Sequence, residues 1–266
     1  MSERMKAMKA MEAMNEAKIL IEVCAGGIED CLIAQRAGAD RIELNSALYL
    51  GGLSPSLVVL EQALYLGVTI PIICMVRPRG AGFCYSELEV ALMFEEAERF
   101  LQAGAKGIAF GFLTAERQID WTLTERMIKL CQQYQADSVF HRAFDCAIDP
   151  QQNIERLIEL GCTRILTSGL APDALAGADL LRDLQQHYGQ KIQLCAGAGI
   201  NQITLQPLIA KTGIRQIHGS FKRWCHDVTT QGTQVSYAYS AHGDYEQTDL
   251  ALVQQLVEQV KNKGAK

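Results

Sequence analysis

No stretch of this 266-residue chain approaches the roughly 20 consecutive apolar residues that a membrane-spanning helix needs, so a membrane role is not expected. There is no block of Lys and Arg, and the net charge is −5, which argues against a nucleic-acid surface. Nine cysteines stand at 24, 31, 74, 84, 131, 146, 162, 195 and 225, yet none forms a CxxC pair. An odd, scattered set is a poor disulfide framework and a poor zinc site, so most are expected reduced, buried and inert. The first residues also lack the continuous apolar stretch of a secretory signal, and a cytoplasmic location is the expectation. No Ser or Cys sits in a nucleophile motif, and no lysine ends an inward-facing strand where a Schiff base would form.

What the chain does have is 48% hydrophobic and 21% charged residues, enough for a full globular core in one large domain or two small ones. Four short apolar segments close on charge: Leu20-Ile-Glu22-Val-Cys24, Arg41-Ile-Glu43-Leu, Ile73-Cys-Met75-Val-Arg77-Pro-Arg79 and Phe140-His141-Arg142-Ala-Phe-Asp145. Charge at a strand end is costly to bury unless paired, so its repetition marks a polar pocket. Gly38, Gly67, Gly104, Gly161, Gly189 and Gly213 each fall after a helix-like stretch and before a β-rich one, where a helix C-cap is expected. The 57-residue interval between Gly104 and Gly161 hides one unmarked junction near Gln135-Ala136-Asp137.

Eight strands follow, near 19–24, 40–45, 70–77, 106–112, 138–144, 163–167, 191–196 and 215–219. Asp149-Pro150 with Gln152 reads as a capped helix start with a capping box, and Ser54-Pro55 and Asn201 open two others. Strands alternating with helices mean parallel βαβ units, and eight of them predict an α/β fold, a single-domain (β/α)8 TIM barrel over 18–266. That span includes a polar loop at 220–248, a candidate lid or oligomer contact, and a final helix at about 249–263. A homo-oligomer is the expected assembly. Residues 1–17 form an extension with Met1, Met5, Met8, Met11 and Met14. It reads as a short helix with one apolar stripe or as a start upstream of the true one, and its spacing also resembles thioether sites for Cu(I).

Alternation along a strand sorts its side chains between two faces. Glu22 and Cys24, then Arg41, Glu43 and Asn45, then Met75, Arg77 and Arg79, share faces opposite apolar neighbours and should point to the barrel axis. The available acids and bases are Glu22, Glu43, His141, Asp145 and His218. Arg41 with Glu22 or Glu43 could equally form a structural ion pair. Arg77 and Arg79, with Arg142, are expected to hold an anion. Ser168 and Gly169 after strand 6, and Gly197 and Gly199 after strand 7, would bring main-chain N–H groups to the same ligand. These residues point to acid/base chemistry on a small anionic, possibly phosphorylated molecule.

In the same segments, together with Gly51-Gly-Leu-Ser-Pro55-Ser, Phe83-Cys-Tyr-Ser86 and Arg164-Ile-Leu-Thr-Ser168-Gly169, the chain resembles the CutC family of copper-homeostasis proteins from about residue 19 to 220. The resemblance implies a TIM barrel, a cytoplasmic protein and Cu(I) handling, for which Cys24 and Met75 would be the soft ligands. Two positions depart from the family pattern. Asn45 stands where a cysteine is usual, and His218-Gly219-Ser220 stands where His-Ser-Ser is. The family resemblance thus supports a Cu(I)-binding protein, whereas the converging arginines, carboxylates and histidines, poor Cu(I) ligands, support an enzyme for an anionic metabolite.

Overall fold

The structure is a computed structural model that describes residues 18–261. Eight parallel strands close into a barrel in sequence order: β1 (Leu20–Ala25), β2 (Arg41–Leu44), β3 (Ile72–Met75), β4 (Gly107–Phe110), β5 (Asp137–Phe140), β6 (Arg164–Thr167), β7 (Gln193–Ala196) and β8 (Gln216–Gly219). β8 pairs with β1, matching Glu22 to His218, and β2 matches Glu22 to Arg41 and Cys24 to Glu43. The (β/α)8 barrel expected from the glycine spacing is therefore the fold observed. Around it stand α1 (Ile28–Ala37), α2 (Leu57–Tyr65), α3 (Glu87–Gln102), α4 (Trp121–Gln133), α5 (Pro150–Glu159), α6 (Ala178–Tyr188), α7 (Leu205–Thr212) and α8 (Leu250–Lys261). The methionine-spaced segment 1–17 lies outside the described residues.

Two apolar layers follow from strand alternation. Ile21, Val23, Ile42, Leu44, Ile108 and Ile165 face outward and pack, fully buried, under the helices. Inside the barrel, Ile73, Met75, Ala109, Val139, Leu166 and Cys195 form a separate apolar plug. Beneath the plug, Arg164 bonds Asp137 (2.8 Å), Gln193 (3.2 Å) and Gln216 (3.0 Å), and Gln216 also accepts from Arg41 at 2.8 Å. The barrel floor is thus a polar, hydrogen-bonded layer, and the functional mouth lies at the opposite end.

Several boundaries differ from expectation, each for a local reason. At the unmarked junction Gln135 takes φ +53°, the left-handed conformation glycine supplies elsewhere, whereas Gly189 stays right-handed at φ −62°. Asp149 precedes α5 and Pro150 opens it, but Asp149 itself is left-handed, and no side-chain cap forms. Ser54 lies before α2 rather than capping it. Its hydroxyl accepts from the Arg77 N–H at 2.9 Å and donates to Glu96 at 2.7 Å. A full capping box occurs instead at Ser86 and Glu89, at the start of α3. Strand 5 is shorter than expected because residues 142–146 turn into a 3-10 helix. Within 220–248, expected as a polar loop, β9 (Lys222–Cys225) and β10 (Tyr245–Thr248) pair antiparallel. All nine cysteines are free, and five of them are buried. No helix among the described residues is long and apolar enough to cross a membrane.

Candidate functional site

β1, β2 and β8 are neighbours in the barrel, so their inward side chains meet at one side of its interior. Burying Glu22 would be prohibitive without partners. It has two: Arg41 Nε donates to one carboxylate oxygen, and His218 Nδ1 donates to the other at 2.8 Å. With Nδ1–H committed to Glu22, His218 Nε2 faces Glu43 at 3.8 Å. Cys24 Sγ lies 3.7 Å from the same Glu43 oxygen, and Asn45 donates to both Cys24 Sγ (3.4 Å) and Glu43 (3.0 Å). Among the described residues, one donor atom each from Cys24, Glu43 and His218 lies within 4.8 Å of the others.

The electrostatics give each member a distinct state. Burial works to raise the Glu22 pKa, but Arg41 and His218 outweigh it and hold the carboxyl well below the ordinary range. Burial would strip the proton from His218, yet Glu43 and its contacts with Cys24 and Glu22 hold its pKa well above the usual value. Glu43 is pushed up by burial and by the neighbouring Glu22 charge. Burial pushes the Cys24 thiol up to about 11, against the pull of His218. Glu22 is therefore a carboxylate, whereas His218 and Cys24 hold protons that a bound metal ion would have to displace.

The chemistry of these donors fits a transition-metal ion. A histidine whose second ring nitrogen is fixed on a carboxylate is the usual arrangement of a metal-binding imidazole. Asn45 aims an amide N–H at the sulfur, which favours a thiolate. Glu43 Oε1 and Asn45 Oδ1 are buried with no hydrogen-bond partner among the described residues.

Other residues expected at the site lie elsewhere or do different work. Met75 belongs to the apolar plug, and the partners of Cys24 are polar. Arg41 is the buried counterion of Glu22. Arg77 donates to the carbonyls of Leu50 (3.1 Å), Gly52 (2.9 Å) and Ala81 (2.7 Å), pinning the β2 loop to the β3 loop. Arg79 binds Glu89 at 2.6 Å and the Cys84 carbonyl at 2.8 Å. Two arginines read as an anion clamp thus act on the chain itself. Asp145 accepts from Thr167 Oγ1 (2.5 Å), Ser168 Oγ (2.9 Å), the Leu170 N–H (3.2 Å) and Arg142 Nε (2.8 Å), so it organises the β6 loop. Gly169, at φ +72°, belongs to that loop and packs on Gly177. His141 is buried, accepts from the Ala143 N–H, and has its pKa lowered to about 3 by burial and by Arg77.

A cleft of about 610 Å³ opens beside the cluster, with Cys24 and His218 in its lining. Residues after β7 and β8, Gly199 and Ser220 among them, form one wall, Arg142 stands in another, and Leu252 and Leu256 of α8 line it as well. Gly197 lies against His218 without lining the cleft. Lys222 was not legible as a site residue, whereas Ser220 closes His218-Gly219-Ser220 after strand 8, a loop whose small residues pointed to an anion.

The family model for the CutC family matches residues 19–223. A CutC family protein of Treponema denticola is 39% identical over 245 residues, 92% of this chain and 98% of its own. One from Vibrio vulnificus (strain CMCP6) is 42% identical over 202 residues, 76% of this chain and 80% of its own. The crystal structure of a Streptococcus agalactiae CutC, named for copper homeostasis, superposes with a TM-score of 0.71 at 31% identity, covering 76% of this chain and 98% of that one. The chain belongs to the CutC family.

Proposed function

We propose that this chain takes part in copper homeostasis by binding a copper ion at Cys24 and His218, with Glu43 as the third donor. The observation that carries this reading is the convergence of those three donors, with His218 held from behind by Glu22. Thiolate and imidazole are ligands that Cu(I) accepts, and the carboxylate widens the set toward divalent ions. Asn45 in place of a second cysteine makes the imidazole, rather than another sulfur, the partner of Cys24.

Binding has to displace protons from Cys24 and His218, so affinity should rise with pH and protons should be released on titration. The test is anaerobic Cu(I) titration against a competing chelator in a weakly buffered solution. One equivalent bound with proton release, weakened by Cys24→Ser and by His218→Gln, is expected. Binding well below one equivalent, or binding that neither substitution alters, would overturn the assignment. A second reading, acid/base chemistry on a small anion, is favoured by one observation: Cys24 and His218 are exposed to a cleft large enough for a metabolite.

A further inference from the structure

The cleft beside the cluster has a charge balance unlike that of the chain. The protein carries a net charge of −5, yet no aspartate or glutamate lines this cleft. Besides His218, its side-chain cations are Arg142 and Lys222, whose carboxylate partners, Asp145 and Glu246, stay outside the lining. Arg142 commits Nε to Asp145 and Nη2 to Ser168 Oγ at 2.9 Å, which fixes the guanidinium in place. An arginine so held is a positioned donor rather than a mobile surface charge.

The backbone around it is shaped to match. Ala198 (φ +80°) and Phe221 (φ +44°) are non-glycine residues in the left-handed region, and both line the cleft next to Gly199 and Ser220. Such conformations are costly and collect at ligand sites, where they turn main-chain groups toward the occupant. The loops after β7 and β8 are also where the barrel architecture offers its N–H groups to anions.

We infer that this cleft binds a small organic anion, a phosphate or carboxylate ester-sized metabolite, with its charged end between Arg142 and the β7 and β8 loops and its remainder over Cys24 and His218. The inference does not depend on copper binding, because the recognition elements are Arg142, Lys222 and the two loops.

The test uses the full chain freed of metal with a chelator, and the Cys24→Ser variant in parallel, so that a failure of the metal reading cannot imitate a failure here. The probes are inorganic phosphate, glycerol 3-phosphate, ribose 5-phosphate and citrate, with glycerol and ribose as uncharged controls, read by thermal shift and then by calorimetry. At least one organic anion should raise the melting temperature saturably in both proteins, with no shift from the controls. Ser220→Asp, which places a carboxylate in the cleft, and Arg142→Gln should each weaken that binding about tenfold or more, with unchanged circular dichroism. A phosphate-selective or a citrate-selective response would name the anion class. No shift by any organic anion, a shift by inorganic phosphate alone, or binding unaffected in Ser220→Asp would overturn the inference.

Discussion

Glu22 divides one buried carboxylate between Arg41 and His218, and so couples barrel stability to the state of the mouth cluster. Glu22→Gln leaves a buried guanidinium without its counterion and should cost about 3–5 kcal/mol in urea unfolding. The same change frees the His218 ring, so metal affinity should fall roughly 10–100-fold in the chelator competition assay. His141 gives a separate pH signature. Its folded pKa of about 3 lies below the ordinary histidine value near 6.5, so the unfolded chain takes up a proton that the folded chain refuses. Its contribution is fully present above about pH 6.5 and is lost as pH falls towards 3, on the order of a few kcal/mol. Unfolding free energies measured across that window should fall less steeply for His141→Asn than for the parent chain. Parity along the strands was enough to place Glu22, Glu43 and Cys24 inward. It could not reveal that Asp145 would be saturated, because four of its partner atoms come from a loop more than 20 residues further along.

At the scale of elements, two loops are secured by contacts with quite different tolerance to change. The capping box of α3 ties Ser86 to Glu89, which in turn receives Arg79 from the β3 loop. Ser86→Ala should therefore destabilise the protein by about 1 kcal/mol, measured by denaturant midpoint at constant slope. Gly169 combines φ +72° with a would-be Cβ position 2.4 Å from the Gly177 carbonyl oxygen, so Gly169→Ala must displace backbone. It should cost about 1–3 kcal/mol, whereas Gly27→Ala, with nothing within 4 Å, should stay within about 0.5 kcal/mol. Five of the six glycines that mark the helix-to-strand junctions take the left-handed conformation of a helix stop, a local need that made the junctions legible. The signal that could have found the capping role of Ser86 is the Ser86-Glu-Leu-Glu89 spacing of a capping box.

Over the whole molecule, the barrel and the β9–β10 hairpin are unequal partners. Residues between the two strands are largely exposed, and their hydrogen bonds run mostly among themselves, apart from the stacking of Tyr239 on Tyr49 at 4.5 Å. Replacing 228–242 with a short Gly-Ser linker should leave one cooperative unfolding transition within a few degrees of the parent in calorimetry. Loss of cooperativity would show that the hairpin belongs to the barrel's folding unit.

The barrel itself was determined by sequence alone, because strand period, helix period and glycine stops are local properties that repeat eight times. The inward polar set was determined too, since alternation decides faces without reference to neighbours. Tertiary structure decided which members of that set meet. Closing β8 onto β1 brought His218 between Glu22 and Glu43, nearly 200 residues away along the chain, and turned a list of inward charges into one cluster. It also spent Arg77 and Arg79 on main-chain carbonyls, because nearby loop oxygens had to be satisfied. Of the arginines expected at an anion, Arg142 alone lines the cleft, which exists only once the loops after β7 and β8 and the last helix enclose it.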